Sequence, residues 1–343
     1  VLITDQGTSL DSSGRKSGYR VFNANSNVGG RFSALTTFGL LPASLTGTDV
    51  SILLDDAEKM SKLLVEPNSI AVQIAIAMFT RSKQFVYFVE QQSDTPGLAS
   101  WIEQLIAEST GKDGIGRLPI VVNGLNQTNQ ELSIGFKDGQ YDLVVKGSLG
   151  EHLILWQWVT VLLCFLLEVD PFNQPNVTEA KDKTSKILTD LSAGNFVYEQ
   201  PRISNNNFDL FSNLEISSVS DFLNLPCAYF SIMAFLPSSF EQELIGVQNH
   251  LISKLNKPVT FSLGPRYLHS TGQIHKGGQS NGGFIQITQE IKTELVIPGE
   301  QYTFGQLISA QALGDANSLT TRGVPLLRIH LKNKDYDLLE IFN

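Results

Sequence analysis

Glu108 closes the stretch Trp101 to Lys112, WIEQLIAESTGK, where Trp101, Leu105 and Glu108 recur at helical spacing, as do Ile102 and Ile106. Gly111 stands where such a helix ends, and Lys112 follows it. Gln104 and Glu108 are i, i+4 and share one helix face, so both can reach the same small volume. A carboxylate in a last turn faces the negative end of the helix macrodipole. That raises its pKa and makes it a better proton acceptor near neutral pH. The plain alternative is a surface glutamate at a helix end.

Three further segments carry chemistry-bearing residues. In Gly29-Gly30-Arg31-Phe32-Ser33 the paired glycines allow close backbone approach, and Arg31 supplies a fixed positive fork for an oxyanion. A tight turn with an exposed arginine is the ordinary reading of the same residues. In FNQPNVTEAK, Phe172 to Lys181, Pro175 suits a helix start and puts Lys181 about two turns in; most such lysines are solvated. In GPRYLHSTGQIHKGG, Gly264 to Gly278, His269 follows a strand and opens a Gly- and Ser-rich turn, with Arg266, His275 and Lys276 around it. Ligands of α/β folds sit at strand C-termini, and a histidine there can move protons near neutral pH. The competing reading is a structural histidine in a solvated basic loop. No metal-ligand spacing, Walker loop, GxGxxG or Gly-x-Ser-x-Gly elbow is present.

The elements that must hold these residues follow from patterning. Strands are expected at 1–4, 19–22, 84–90, 118–123 and 141–146, with helices from the Gly-Gly segment through Leu41, at 50–64 and 69–78, over the Trp101 stretch, at 153–168 and from about Pro175 to Leu191. A second run has strands at 228–236, 259–268, 283–290 and 326–331, and helices at 240–255 and 303–319. Strands separated by helices of ten or more residues argue for α/β units with parallel pairing. The division expected is 1–65, 66–193, a polar, Asn-rich linker at 194–217, and 218–343. At 343 residues there is room for two or more cores. A hydrophobic content of 42% with 17% charged residues is that of a globular chain. A net charge of −9 argues against a nucleic-acid surface. The apolar run Leu153 to Leu167 carries Gln157 and is short for a bilayer span, which favours a buried helix over a membrane one. Cys164 and Cys227 sit in apolar runs and read as buried thiols of a reducing, cytoplasmic compartment. The opening VLITD reads as a strand within a domain, with natural sequence expected upstream.

Several motifs together resemble one family. NVGGRFSALTTFGLLPASL is similar to the first signature of glucose-6-phosphate isomerases, and DPFNQPNVTEAK to the second, with Gln174 and Lys181 at the family spacing. ESTGKDG, YLHSTGQ and YTFGQL also have counterparts there. The order Arg31, Glu108, Lys181, His269 differs from that of the common isomerases. It resembles the isomerase half of bifunctional transaldolase/glucose-6-phosphate isomerase fusions. The family's phosphate-binding Gly-Gly-Ser turn and Ser/Thr-rich loop have no counterpart in the chain, which therefore resembles a C-terminal portion.

The resemblance implies a three-layer αβα fold of the sugar-isomerase (SIS) type with mostly parallel sheets. It further implies interconversion of glucose 6-phosphate and fructose 6-phosphate in glycolysis and gluconeogenesis, without metal or organic cofactor. Glu108 would shuttle a proton between C2 and C1, and Arg31 would stabilise the enediolate. His269 and Lys181 would open the ring, in roles that can be exchanged. Gln104 and Gln174 would hold hydroxyls, and Gly29 and Gly30 would line the site. The implied partner is a small sugar phosphate, with a homodimer or a monomer, possibly fused to transaldolase, and neither nucleic acid nor membrane. Two other readings remain: a non-catalytic sugar-phosphate-binding module, and the isomerase part of a fusion, inactive alone.

Overall fold

A computed structural model describes residues 1–91, 93–124, 131–195, 199–291, 294–333 and 336–343, without the side chains of 176–181 and 192. The elements run β1 (Leu2–Asp5), α1 (Ser9–Lys16), β2 (Val21–Ala24), α2 (Thr37–Leu45), α3 (Val50–Leu64), α4 (Ile70–Arg81), β3 (Phe85–Val89), α5 (Leu98–Thr110), β4 (Leu118–Val122), β5 (Ser133–Gly135), β6 (Leu143–Val144), α6 (Leu149–Leu166) and α7 (Pro175–Ser192). They continue with β7 (Ile203–Ser204), β8 (Phe208–Ser212), α8 (Val219–Leu223), β9 (Tyr229–Phe235), α9 (Glu241–Leu255), β10 (Val259–Leu263), α10 (Gly272–Gly277), β11 (Gly282–Gln289), α11 (Phe304–Thr321), β12 (Leu326–Leu331) and α12 (Leu338–Phe342). Short 3-10 turns at Gly30–Phe32 and Arg266–His269 carry two of the candidate residues.

The fold is mixed α/β with mostly parallel sheets, as the strand–helix alternation implies. β1 and β2 form a small parallel pair. β4-β3-β5-β6 form a parallel sheet, and β10-β9-β11-β12-β8-β7 a second one that is antiparallel only at β12–β8 and β8–β7. In β9, Phe230, Ile232 and Ala234 face a core built with α8, α9 and α12, whereas Tyr229, Met233 and Phe235 face one built with α10 and α11. Every residue of β9 is buried. That is why its sequence reads as a continuous apolar run instead of an alternating one. Ala107 of α5 and Leu118 of β4 join the second of these cores beside Ile274. The two main sheets are therefore bridged by shared apolar packing at the end of α5 where Glu108 lies.

Helix starts follow local chemistry. Asp49 caps α3, and capping boxes start α6 (Ser148, Glu151) and α11 (Thr303, Gln306). Pro175 opens α7. α6 begins at Leu149, before the apolar run, and is by length and composition apolar enough to cross a membrane. In the fold it packs on α3, α4 and α5, burying Leu155, Trp156, Val159 and Leu163.

Several local expectations change, among them the strand expected over 259–268, which ends at Leu263 and gives way to the 3-10 turn at Arg266–His269. The stretch expected as a linker contains β7 and β8, because β8 pairs with β12 through Phe208 to Ser212 and extends the sheet. The Gly-Gly segment does not run into one helix: a 3-10 turn at Gly30–Phe32 is followed by α2 from Thr37, whose N-cap side chain is Thr36. The strand expected over 141–146 shrinks to Leu143–Val144, and its neighbour β5 lies in an unanticipated segment, where Ser133 exchanges hydrogen bonds with Asp142.

Candidate active site

α5 ends at Gly111 because α10 lies against it. A Cβ on Gly111 would stand 2.3 Å from the Cα of Ile274, so no side chain fits there. The approach is tied by Gln273, whose Nε2 donates to the Gly111 carbonyl at 2.9 Å, and by the Gly114 amide donating to Gly277 at 2.9 Å. The last turn of α5, residues 107–110, is wholly buried.

Glu108 is therefore not a surface glutamate. It is 4% exposed, and its Oε1 lies 3.5 Å from Nη1 of Arg31, itself 5% exposed. Gln104 Nε2 donates to the other carboxylate oxygen at 3.4 Å, as the i, i+4 spacing requires. Arg31 is fixed from several sides. Its Nε donates to Ser109 Oγ at 2.8 Å, and Nη1 to Gln174 Oε1 at 3.3 Å. Nη2 donates to the carbonyls of Pro171 at 2.5 Å and Asn173 at 3.1 Å. Four residues expected at the site, Arg31, Gln104, Glu108 and Gln174, thus meet from the Gly-Gly segment, α5 and the N-cap of α7.

The electrostatics agree in direction with the sequence reading but differ in cause. Burial pushes the Glu108 carboxyl above the ordinary carboxylate range, against the opposing pulls of Arg31, Gln104 and Lys112. Removal from water is the principal source. Lys112 is also buried, at 4% exposure, and its Nζ donates to the Asp170 carbonyl. Burial, then the neighbouring Arg31, draw its ammonium pKa down.

The remaining candidates divide. Gly29 and Gly30 are exposed, neither has a positive φ, and nothing lies within 4 Å of a Cβ built on either, so the fold leaves open space beside Arg31. Lys181 falls within α7, with its side chain outside the described residues. His269 is exposed at the end of its 3-10 turn, on the segment that α10 ties to the end of α5. Of its basic neighbours Arg266 is exposed, but His275 and Lys276 do not form a solvated loop. Gly272 to Lys276 are buried. Lys276 Nζ lies 2.5 Å from Asp315, which also accepts from the Tyr267 hydroxyl at 2.6 Å. His275 Nε2 lies 3.3 Å from Ser231 Oγ, and burial pushes the His275 pKa down to about 3.

Ser109, Lys112 and the carbonyls of Pro171 and Asn173 belong to the cluster but were not singled out from the sequence. Ser109 and Lys112 flank Glu108 within ESTGK, so proximity to the candidate base was the available signal. Backbone carbonyls leave no trace in residue types. Cys164, expected as a buried thiol, is fully buried and its Sγ lies 3.5 Å from the Ser109 carbonyl. No group of three or more His, Cys, Asp or Glu capable of holding a metal occurs among the described residues. The described cavities of about 170, 650 and 390 Å³ are not lined by Arg31 or Glu108.

Comparison with known proteins adds a family-level signal. No family model matches the chain. Among solved structures, a hypothetical protein from Thermus thermophilus is 11% identical with a TM-score of 0.29, covering 85% of this chain and 86% of that one. A putative sugar binding protein from Salmonella typhimurium is 9% identical with a TM-score of 0.21, covering 70% and 81%. Scores that low bear on neither fold nor function. A glucose-6-phosphate isomerase of Listeria monocytogenes is 32% identical over 199 residues, 54% of this chain and 43% of that protein. A probable one from Methanococcus maripaludis is 29% identical over 150 residues, 42% and 34%, and one from Mycoplasmopsis pulmonis is 36% identical over 131 residues, 36% and 31%. The chain spans about a third to two-fifths of the length of these curated relatives. Over those partial lengths it is similar to enzymes named glucose-6-phosphate isomerase, and the likeness supports an isomerase at the level of the family.

Proposed function

We propose that the chain carries the proton-transfer centre of an aldose–ketose isomerase acting on glucose 6-phosphate and fructose 6-phosphate. The observation that carries this reading is the buried Arg31–Glu108 pair, held by Gln104 and Gln174 at the motif positions that resemble the isomerases. A carboxylate whose pKa is raised by burial is a competent base near neutral pH. It removes the C2 proton of the open-chain aldose, the C–H electron pair becomes the C1=C2 bond of an enediol, and the negative charge develops on oxygen. Return of that proton to C1, with the C2 hydroxyl proton passing to O1 as the C2=O bond forms, gives the ketose. Arg31 is pre-oriented by four hydrogen bonds and so stabilises the developing oxyanion with little rearrangement. We assign the approach of the reacting carbons to the open space over Gly29 and Gly30, beside Arg31. His269 and Lys181 remain the proposed ring-opening groups, and the phosphate is gripped by residues other than those of the Arg31–Glu108 cluster.

The test is deuterium wash-in at C2 of glucose 6-phosphate. Exchange is expected with the native chain and is lost in Glu108→Gln with sugar-phosphate binding kept. Exchange that survives this substitution would sink the assignment of the base. The burial of both members of the pair favours one second reading, a non-catalytic sugar-phosphate-binding module. It predicts binding without exchange in the native chain. A cytoplasmic, monomeric or dimeric isomerase part of a transaldolase fusion is the proposed context; activity of the chain alone and joined to a transaldolase half tests it.

A further inference from the structure

Glu103 is a second buried acid on α5, 6% exposed, and the proton-transfer centre does not use it. It lies five residues before Glu108 and so projects from a different side of the helix. Burial pushes its pKa up to about 7, against the pull of Arg266. Its carboxylate accepts no hydrogen bond from the described residues. Arg266 is exposed and attracted to Glu103, but the two do not come within the 4.0 Å of an ion pair.

Between them lies a cavity of about 170 Å³. One wall is Glu90 and Asn123, just beyond the ends of β3 and β4, with Ser100 and Glu103 of α5. The opposite wall is Glu241, Gln248 and Asn249 of α9, Thr260 and Phe261 of β10, and Arg266. The cavity thus sits at the carboxyl edge of the four-stranded sheet, where open α/β sheets place ligands, and at the seam between the two main sheets, another preferred location.

The lining selects the occupant. Three carboxylates disfavour a phosphate or other anion. Arg266 disfavours an ammonium placed against Glu103. What remains is a neutral molecule that donates to carboxylates and accepts from guanidinium and amide groups at once, which is what hydroxyls do. The volume is below the roughly 300–1,000 Å³ of drug-sized sites, which restricts the occupant to one small ring or a short chain. Phe261 offers an apolar face for its C–H groups. We propose that this seam is a binding site for a small neutral polyhydroxylated molecule, a polyol or a single unphosphorylated sugar ring, bridged between Glu103 and Arg266. The site stands apart from the isomerase reading. It is built on the helix that carries Glu108 and the turn that carries His269.

Saturation-transfer NMR with glucose, myo-inositol, glucosamine and glucose 6-phosphate at millimolar concentration tests this. Glucose or myo-inositol is expected to receive saturation. The signal is expected to be lost in Glu103→Gln and in Arg266→Met, and kept in Glu108→Gln and in the presence of saturating glucose 6-phosphate. Transfer to neither neutral probe overturns the site. Transfer unchanged in both seam variants, or abolished by glucose 6-phosphate, also overturns it by placing the sugar elsewhere. A signal from glucosamine or glucose 6-phosphate alone overturns the neutral ligand. None of these outcomes bears on isotope exchange at C2, so this site and the proposed reaction fail separately.

Discussion

Glu108 and Arg31 each depend on the other's charge. Removing one partner of a buried ion pair strands the other, at a cost of about 3–5 kcal/mol. Arg31→Met is therefore expected to lower the urea-unfolding free energy by about that much, since it also strips donors from the carbonyls of Pro171 and Asn173. The double variant Arg31→Met/Glu108→Leu is expected to cost less than the sum of the singles, because the stranded carboxylate is gone. Additive losses would show that the pair is not coupled. For catalysis, Glu108→Gln keeps shape but loses the base, and an isomerase rate falling by about a hundredfold to ten-thousandfold is expected in a coupled assay. Glu108 could be nominated from spacing alone. Its burial, which is what raises its pKa, could not, because burial depends on what packs over the end of the helix.

At the scale of elements, the contact of α5 with α10 decides how the candidate residues meet. Gly111 is the close-approach point, with a built Cβ 2.3 Å from Ile274 Cα and 2.4 Å from its Cβ. Gly111→Ala pushes backbone against backbone and is expected to destabilise by about 1–3 kcal/mol, read as a lower thermal midpoint. Ile274→Ala is not expected to rescue it, because the Cα remains in place; full rescue would show that the contact is through the side chain alone. Most elements of the second α/β run are legible from apolar runs and turn residues, and β12 falls on the expected span, Leu326–Leu331. The segment 194–217 is not. Its polar, Asn-rich composition hides β8, which lies near the sheet edge, where the burial that makes a strand readable is weaker.

Across the whole molecule Glu103 and His275 pull the pH dependence of stability in opposite directions. Glu103 has a folded pKa of about 7, above its ordinary 4.5. Its contribution is full below pH 4.5 and is lost as pH rises through 7. His275 is neutral in the fold, with its pKa pushed down from 6.5 to about 3. Its contribution is present above pH 6.5 and lost as pH falls towards 3. Between pH 4.5 and 6.5 the two slopes oppose each other. Glu103→Gln is expected to raise stability above pH 7 by on the order of 1–3 kcal/mol and to leave a net loss on acidification that His275→Gln then reduces. A pH series of urea midpoints reads both, and an unchanged alkaline limb in Glu103→Gln would refute the first.

The sequence by itself determined the α/β class, the order of most of the longer elements, and the motifs that resemble glucose-6-phosphate isomerases. It did so because helical and strand periodicities are local, and because Gly-Gly-Arg, Glu-Ser-Thr-Gly-Lys and His-Ser-Thr-Gly-Gln are contiguous. Only the tertiary structure decided that Arg31 reaches Glu108, that Gln174 closes on Arg31 from another helix, and that His275 and Lys276 turn inward to Ser231 and Asp315. It alone held Glu103 and Arg266 apart across a seam. Those facts are distances and desolvation between residues far apart in the chain, and no local pattern encodes them.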